Sequence, residues 1–171
     1  MEFTFETNYN AKTMAVMAKA LRKTVRKKHS RRSRLFGWSI TAVALLLLTS
    51  EGFELHRRAV VTLAVIAAIV IALLFEDQIN GYVASKRMMP GMEKAVSVFT
   101  KEGFTSTTGV GKTEWNYDKI LLVAETKDYF VFIFGHSHAQ LYDKSGLKGG
   151  TSDGFRAFIE SATGKSVQRV K

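Results

Sequence analysis

The sequence predicts an α+β membrane protein: a two-helix transmembrane hairpin carrying an antiparallel β-sheet cytoplasmic domain that a C-terminal helix caps. Three observations predict it. Two blocks without an ionisable side chain, LFGWSITAVALLLLTS at 35–50 and AVVTLAVIAAIVIALLF at 59–75, lie close together. Lys and Arg crowd the segment just before the first block. Residues 91–171 then break into short β-branched and aromatic runs followed by one amphipathic helical stretch.

A bilayer core about 30 Å thick needs roughly 20 helical residues, with a usable range of about 17–25. Both blocks sit at the short end, where local thinning and flanking Trp and Arg side chains take up the mismatch; Trp38, Arg34, Arg57 and Arg58 are placed for this. The linker 51–58 is too short for anything but antiparallel neighbours. Residues 1–34 carry ten Lys and Arg against two Glu, whereas the linker offers only Arg57 and Arg58. The positive-inside rule therefore puts the N-terminus in the cytoplasm, and a second crossing returns the C-terminal part to the same side. The expected location is the cell membrane, multi-pass, with both termini cytoplasmic. The first apolar block begins too late for a signal peptide.

Within 1–34, MEFTFET alternates Phe3 and Phe5 with polar residues, the period of a half-buried strand, and a lone strand must join a sheet. From Ala11 to about Lys28, Met14, Met17, Leu21 and Val25 form one helical stripe, with Asn10 as N-cap. The expectation is a basic amphipathic helix lying on the inner membrane surface. There Arg22, Lys23, Arg26, Lys27, Lys28, Arg31, Arg32 and Arg34 form a basic surface facing lipid, each residue near anionic headgroups contributing about 1 kcal/mol. No aromatic residues interleave these charges as stacking platforms, so nucleic acid is not expected.

After the second span, a connecting segment 76–90 is expected to run as a helix to about Met89, since the residue before Pro90 is biased away from helix. The domain 91–171 then reads as an antiparallel meander of strands over 95–100, 104–108, 120–126, 129–134 and 139–142. The N-terminal strand joins this sheet, which demands an even number of crossings. Thr151, Ser152 and Asp153 offer caps for a closing helix with Phe155, Phe158, Ile159 and Ala162 on one stripe, and Gly164 fits its end. Tyr129, Phe130, Phe132 and Phe134 place aromatics on both faces of their strand, as in strands buried on two sides.

Two stretches carry a family resemblance. In TEWNYDKILLVAETKDYFVFIF, the residues Trp115, Tyr117, Ile120, Glu125 and Tyr129 resemble the tryptophan, isoleucine and Glu-x-x-x-Tyr pattern of the YcxB-like family of bacterial membrane proteins. LYDKSGLKGGTSDGFRAFIE is similar to that family's strand, Lys-containing turn and terminal helix, except that Asp143 stands before Lys144 where the family often has proline. The resemblance implies two closely spaced transmembrane helices followed by a pleckstrin-homology-like domain. It implies no catalytic role.

The residues themselves point away from catalysis. The absence of Cys removes thiolate metal sites and Cys nucleophiles. GVGKT at 109–113 ends like a P-loop but has Ser106 where the first Gly belongs, and GKS at 164–166 has Ile159 there. His136 and His138 would share a strand face, but two ligands do not make a metal site. Glu125 and Asp128 flank an expected hairpin turn, where acids serve solvation. No cofactor, metal or catalytic residue is assigned, and no enzyme is expected. The expectation is a membrane-anchored binding or scaffold protein whose partners are the bilayer, anionic lipid headgroups, or a protein. The alternative is a homo-oligomeric component of transport or envelope-stress response, with Ala42, Ala44, Ala64, Ala67 and Ala68 packing helices closely.

Overall fold

The computed structural model describes residues 2–50 and 57–170, so Met1, residues 51–56 of the expected linker and Lys171 lie outside it. The β domain is built around β1 (Phe3–Asn8), in which Phe3, Phe5 and Thr7 are buried and the residues between them are not. β1 pairs antiparallel along its whole length with β2 (Lys94–Phe99), from Phe3 opposite Phe99 to Asn8 opposite Lys94. A slip of one residue would turn both phenylalanines to solvent, so the alternation fixes the register.

The sheet continues through β3 (Phe104–Thr108) and β4 (Lys112–Trp115). A two-residue strand, Leu147–Lys148, covers the other edge of β1, and its Lys148 pairs with Glu6. The expected single meander is two sheets. A 3-10 turn at Tyr117–Lys119 redirects the chain, so the run expected at 120–126 starts only at Leu122. From there β5 (Leu122–Glu125), β6 (Tyr129–Ile133) and β7 (Ala139–Asp143) form a second layer, to which Gln168–Arg169 adds a parallel pair on β5.

Aromatic rings fill the space between the layers. Phe5 of β1, Phe99 of β2 and Phe130 of β6 each meet Phe155 edge-on, with ring centroids 4.7, 5.0 and 5.0 Å apart. Edge-to-face pairs add about 0.5–1.5 kcal/mol beyond the area they bury. Phe155 belongs to the closing helix, Ser152–Thr163, whose N-cap Thr151 accepts from the Gly154 N–H through Oγ1 and whose C-cap is Gly164.

The opposite face of β6 is buried too. Val131 and Ile133, with Ala124 and Leu141 beside them, pack against Ala20 and Leu21 of α1 (Ala11–Lys23), and Met17 and Val25 join the same cluster. This corrects one expectation: the apolar stripe of the basic helix is spent on the β-sheet and does not lie on a membrane. The helix also ends earlier than Lys28. Thr24 departs from helical geometry, its hydroxyl donates to the Ala20 carbonyl, and a new helix, α2 (Lys27–Ser50), begins three residues later.

α2 and α3 (Arg57–Leu74) lie side by side, with Gly37 against the Leu73 side chain and the Arg34 guanidinium 3.4 Å from the Leu73 carbonyl. A bend at Phe75 leads into α4 (Glu76–Lys86), three residues shorter than the helix expected to reach Met89. Among the described residues, α3 alone is long and apolar enough throughout to cross a bilayer; α2 has the length but opens with the basic run KKHSRRSR.

α4 runs antiparallel to α1, and the two backbones touch at Gly81: a Cβ there would lie 2.4 Å from the Ala15 nitrogen and 2.6 Å from its Cα. Both are backbone atoms that no rotamer can move. Gly81→Ala is therefore expected to force α1 from α4 and cost about 1–3 kcal/mol, read as a lowered midpoint of thermal unfolding in detergent, whereas Ala84→Gly on the same helix should cost no more than about 1 kcal/mol.

Candidate functional site

The eight basic residues expected to face lipid divide into two groups. Arg22 is 18% exposed and makes a bidentate pair with Asp77 of α4, Nε to Oδ1 at 2.7 Å and Nη2 to Oδ2 at 2.6 Å. Arg26 donates through Nε to the His136 carbonyl at 2.5 Å and through Nη2 to Ser137 Oγ at 3.0 Å, fastening the α1–α2 junction to the β6–β7 loop. Both are corrections: these two arginines hold the protein to itself. Charge-assisted bidentate pairs of this kind are about twice as strong as neutral hydrogen bonds. Arg34 is half-buried against α3.

Lys23, Lys27, Lys28, Arg31 and Arg32 remain exposed. Four of them occupy the first turns of α2, spaced as Lys27/Arg31 and Lys28/Arg32. Like charges four apart on a helix repel by about 0.2–0.5 kcal/mol per pair. Cations at a helix start also oppose its dipole, and no acidic residue occupies this first turn. The arrangement is locally unfavourable. Arg26, Lys27, Lys28 and His29 share an open cleft with His136 and Ser137.

Glu125 does not serve solvation, as its position beside a turn suggested. It is 5% exposed and receives Arg156 of the closing helix on both oxygens, each at 2.7 Å, and Lys144 Nζ on Oε1 at 2.6 Å. Lys144 also donates to the Thr126 carbonyl and sits over the Phe130 ring. Burial pushes the Glu125 carboxyl up, but the hydrogen bonds and charges of Arg156 and Lys144 outweigh it and hold the pKa at about 2. Glu125 and Lys144, which carried the family resemblance, thus join β5, the turn after β7 and the closing helix.

A third feature has no local signature in the sequence. A cavity of about 220 Å³ lies where α1 and the α4–β2 connection cover the polar end of the space between the sheets. Met14, Met17, Met88 and Met92 line it, facing Ser106, Thr108, Thr113 and Gln140, with His138 at the rim. The spacing of Met14 and Met17 is that of the helix stripe. Nothing local joins it to Met88 and Met92 some seventy residues later.

His136 and His138 are in a loop, not a strand; the His138 ring lies 5.6 Å from Trp115 and 5.4 Å from Phe134. GVGKT leads through a turn into β4, so no helix follows it as a P-loop requires.

Residues 99–159 match the family model described as YcxB-like protein, which supports the resemblance over that segment. The matched stretch runs from the end of β2 through Ile159 of the closing helix and includes Glu125, Lys144 and Arg156. No curated protein matches the chain.

Glu125→Ala would leave Arg156 and Lys144 without their shared carboxylate. The expected cost is about 3 kcal/mol, at the low end for breaking a buried pair because both cations keep some solvent contact. Since the folded pKa lies below the usual 4.5, the carboxylate's contribution is present in full above about pH 4.5 and lost as pH falls towards 2. Thermal midpoints measured across that range should fall more steeply for the native chain than for Glu125→Gln.

Proposed function

Starting from a chain whose residues 99–159 are YcxB-like, we propose that the protein is a non-enzymatic binding module anchored in a bacterial inner membrane by α2 and α3. Both ends are cytoplasmic, and the first turns of α2 bind anionic lipid headgroups. One observation carries the proposal: the apolar surface of the hairpin is left uncovered by every other described part of the chain. Phe36 is 69% exposed, Leu46 68%, Leu47 61% and Val61 59%, and Ile66 is the one buried residue of α3. A contiguous apolar surface on this scale marks a membrane or partner contact.

The charges fit the same orientation. Lys27, Lys28, Arg31 and Arg32 stand within eight residues of Leu35, where the apolar face begins, so they reach headgroups when the helix is inserted. The β1–β2 pairing brings the segment before α2 and the segment after α4 together, which two crossings satisfy and one does not. The exposed basic turns supply the binding surface, and the β domain presents it from below.

Because the chain lacks Cys, single cysteines report topology directly. In intact spheroplasts, cysteines at positions 12 and 161 should resist a membrane-impermeant maleimide until the membrane is opened, while one at position 52 should react from outside. Reaction of 12 and 52 from the same side would overturn the hairpin. In nanodiscs, the thermal midpoint should be higher in phosphatidylglycerol than in phosphatidylcholine. The difference should vanish in the Lys27→Glu, Lys28→Glu, Arg31→Glu, Arg32→Glu variant and shrink in 1 M salt, where the screening length is about 3 Å. An equal midpoint in both lipids would refute the headgroup contact.

A further inference from the structure

Four of the chain's six methionines line the single cavity between α1, the α4–β2 connection and the sheet. Two local geometries bring them there. Met14 and Met17 are three residues apart on α1, which stacks them on one face a turn apart. Met88 and Met92 flank a tight turn at Pro90-Gly91, in which the Met92 N–H donates to the Met89 carbonyl at 3.2 Å and Gly91 takes φ of 90°. Proline followed by a residue of positive φ is the arrangement of a type II turn. The turn is held in place by the Gly109 N–H on the Gly91 carbonyl, 2.8 Å, and by the Gly91 N–H on Glu93 Oε2, 2.8 Å. Met89, between the two, is exposed and outside the cavity.

The clustering of one residue type from two distant segments is the feature to explain. Elsewhere on the sheet-facing side of α1 the chain uses Val16, Ala20 and Leu21. Four of the five described methionines line the cavity, and they come from both segments that close it, although Met17 also packs against the sheet cluster and Met89 stands outside. What thioethers add to a hydrocarbon wall is a soft, neutral donor.

We propose that this cavity binds a soft monovalent metal ion, Cu(I), through the thioether sulfurs of Met14, Met17, Met88 and Met92, with His138 as a nitrogen donor at the rim. Thioether ligands select Cu(I), whereas Mg²⁺, Ca²⁺ and Mn²⁺ require carboxylate, carbonyl or water oxygens. No carboxylate lines the cavity, and the chain has no thiolate to draw the ion elsewhere. A neutral donor set can carry one positive charge into a half-buried site far more cheaply than two. Each methionine has three rotatable bonds, so sulfurs reaching in from α1 and from the turn can adjust around one ion. The site does not depend on the membrane reading.

The test is competition for Cu(I) between the full chain, purified in detergent with ascorbate present, and bicinchoninate. The native chain should withdraw one equivalent, its X-ray absorption should show sulfur neighbours, and excess Zn(II) should not displace the ion. Replacing Met14, Met17, Met88 and Met92 by Leu, which nearly conserves volume, should abolish the withdrawal, Met89→Leu should leave it intact, and His138→Ala should weaken it. Failure of the native chain to withdraw Cu(I), equal withdrawal by the fourfold variant, or a spectrum with nitrogen and oxygen neighbours alone would overturn the proposal. The spectrum of the native chain decides even if the fourfold variant does not fold.

Discussion

The antiparallel pairing of β1 with β2 is the constraint on which the other parts depend. It joins residues 3–8 to residues 94–99 across the whole helical insertion, so the chain must leave the sheet through α1 and α2 and return to it through α3 and α4. Closing a connection of that length costs chain entropy, although the cost grows only slowly with loop length. What fixes it is the buried content of β1. Phe3 and Phe5 touch Phe155, Phe99, Phe130 and Tyr142, and each large side chain removed from water contributes about 1.5–3 kcal/mol. Without β1, the aromatic core would open on one side and β2 would become an edge.

That pairing also decides what α1 can do. Leaving β1 at Asn8, the chain turns at Asn10, whose side chain caps α1, and crosses the outer face of β6 and β7. Tyr9 fastens the turn by donating its hydroxyl to the Leu141 carbonyl. One face of α1 is then consumed by Val131, Ile133 and Leu141, and another by α4 at Ala15 and Gly81, leaving too little of the helix to lie on a bilayer. The proposed headgroup contact therefore rests on the exposed first turns of α2.

These particulars show which features the sequence displayed. The alternation in FTFETN, the Thr151 and Gly164 caps, and the two-sided burial of YFVFI were readable because each is a local pattern with a single dominant cause. The hydrophobic stripe of α1 was readable as well, but not what covers it, since a membrane and a sheet demand the same residues. Glu125 looked like a turn acid because its partners lie 19 and 31 residues away, one of them in the closing helix. The split into two sheets depended on a three-residue 3-10 turn that no periodicity announces. The four methionines come from segments that only the folded chain brings together.

The two arginine anchors set how firmly these parts are coupled. Arg22 ties the end of α1 to the start of α4 through Asp77, and Arg26 ties the start of α2 to the β6–β7 loop. Both lie within one turn of the place where α1 stops, so the hairpin meets the β domain at a braced junction rather than a loose linker. α1, 13 residues and therefore about 20 Å long, runs from that junction to the methionine-lined cavity, presenting Met14 and Met17 on the same body that carries Arg22. Any movement of the hairpin that displaced α1 would have to break a bidentate ion pair, lift Leu21 from the sheet and open the cavity wall together. Packed this closely, such an element has few intermediate positions available. α1 is thus shared between the braced junction at its end and the wall of the cavity at its start.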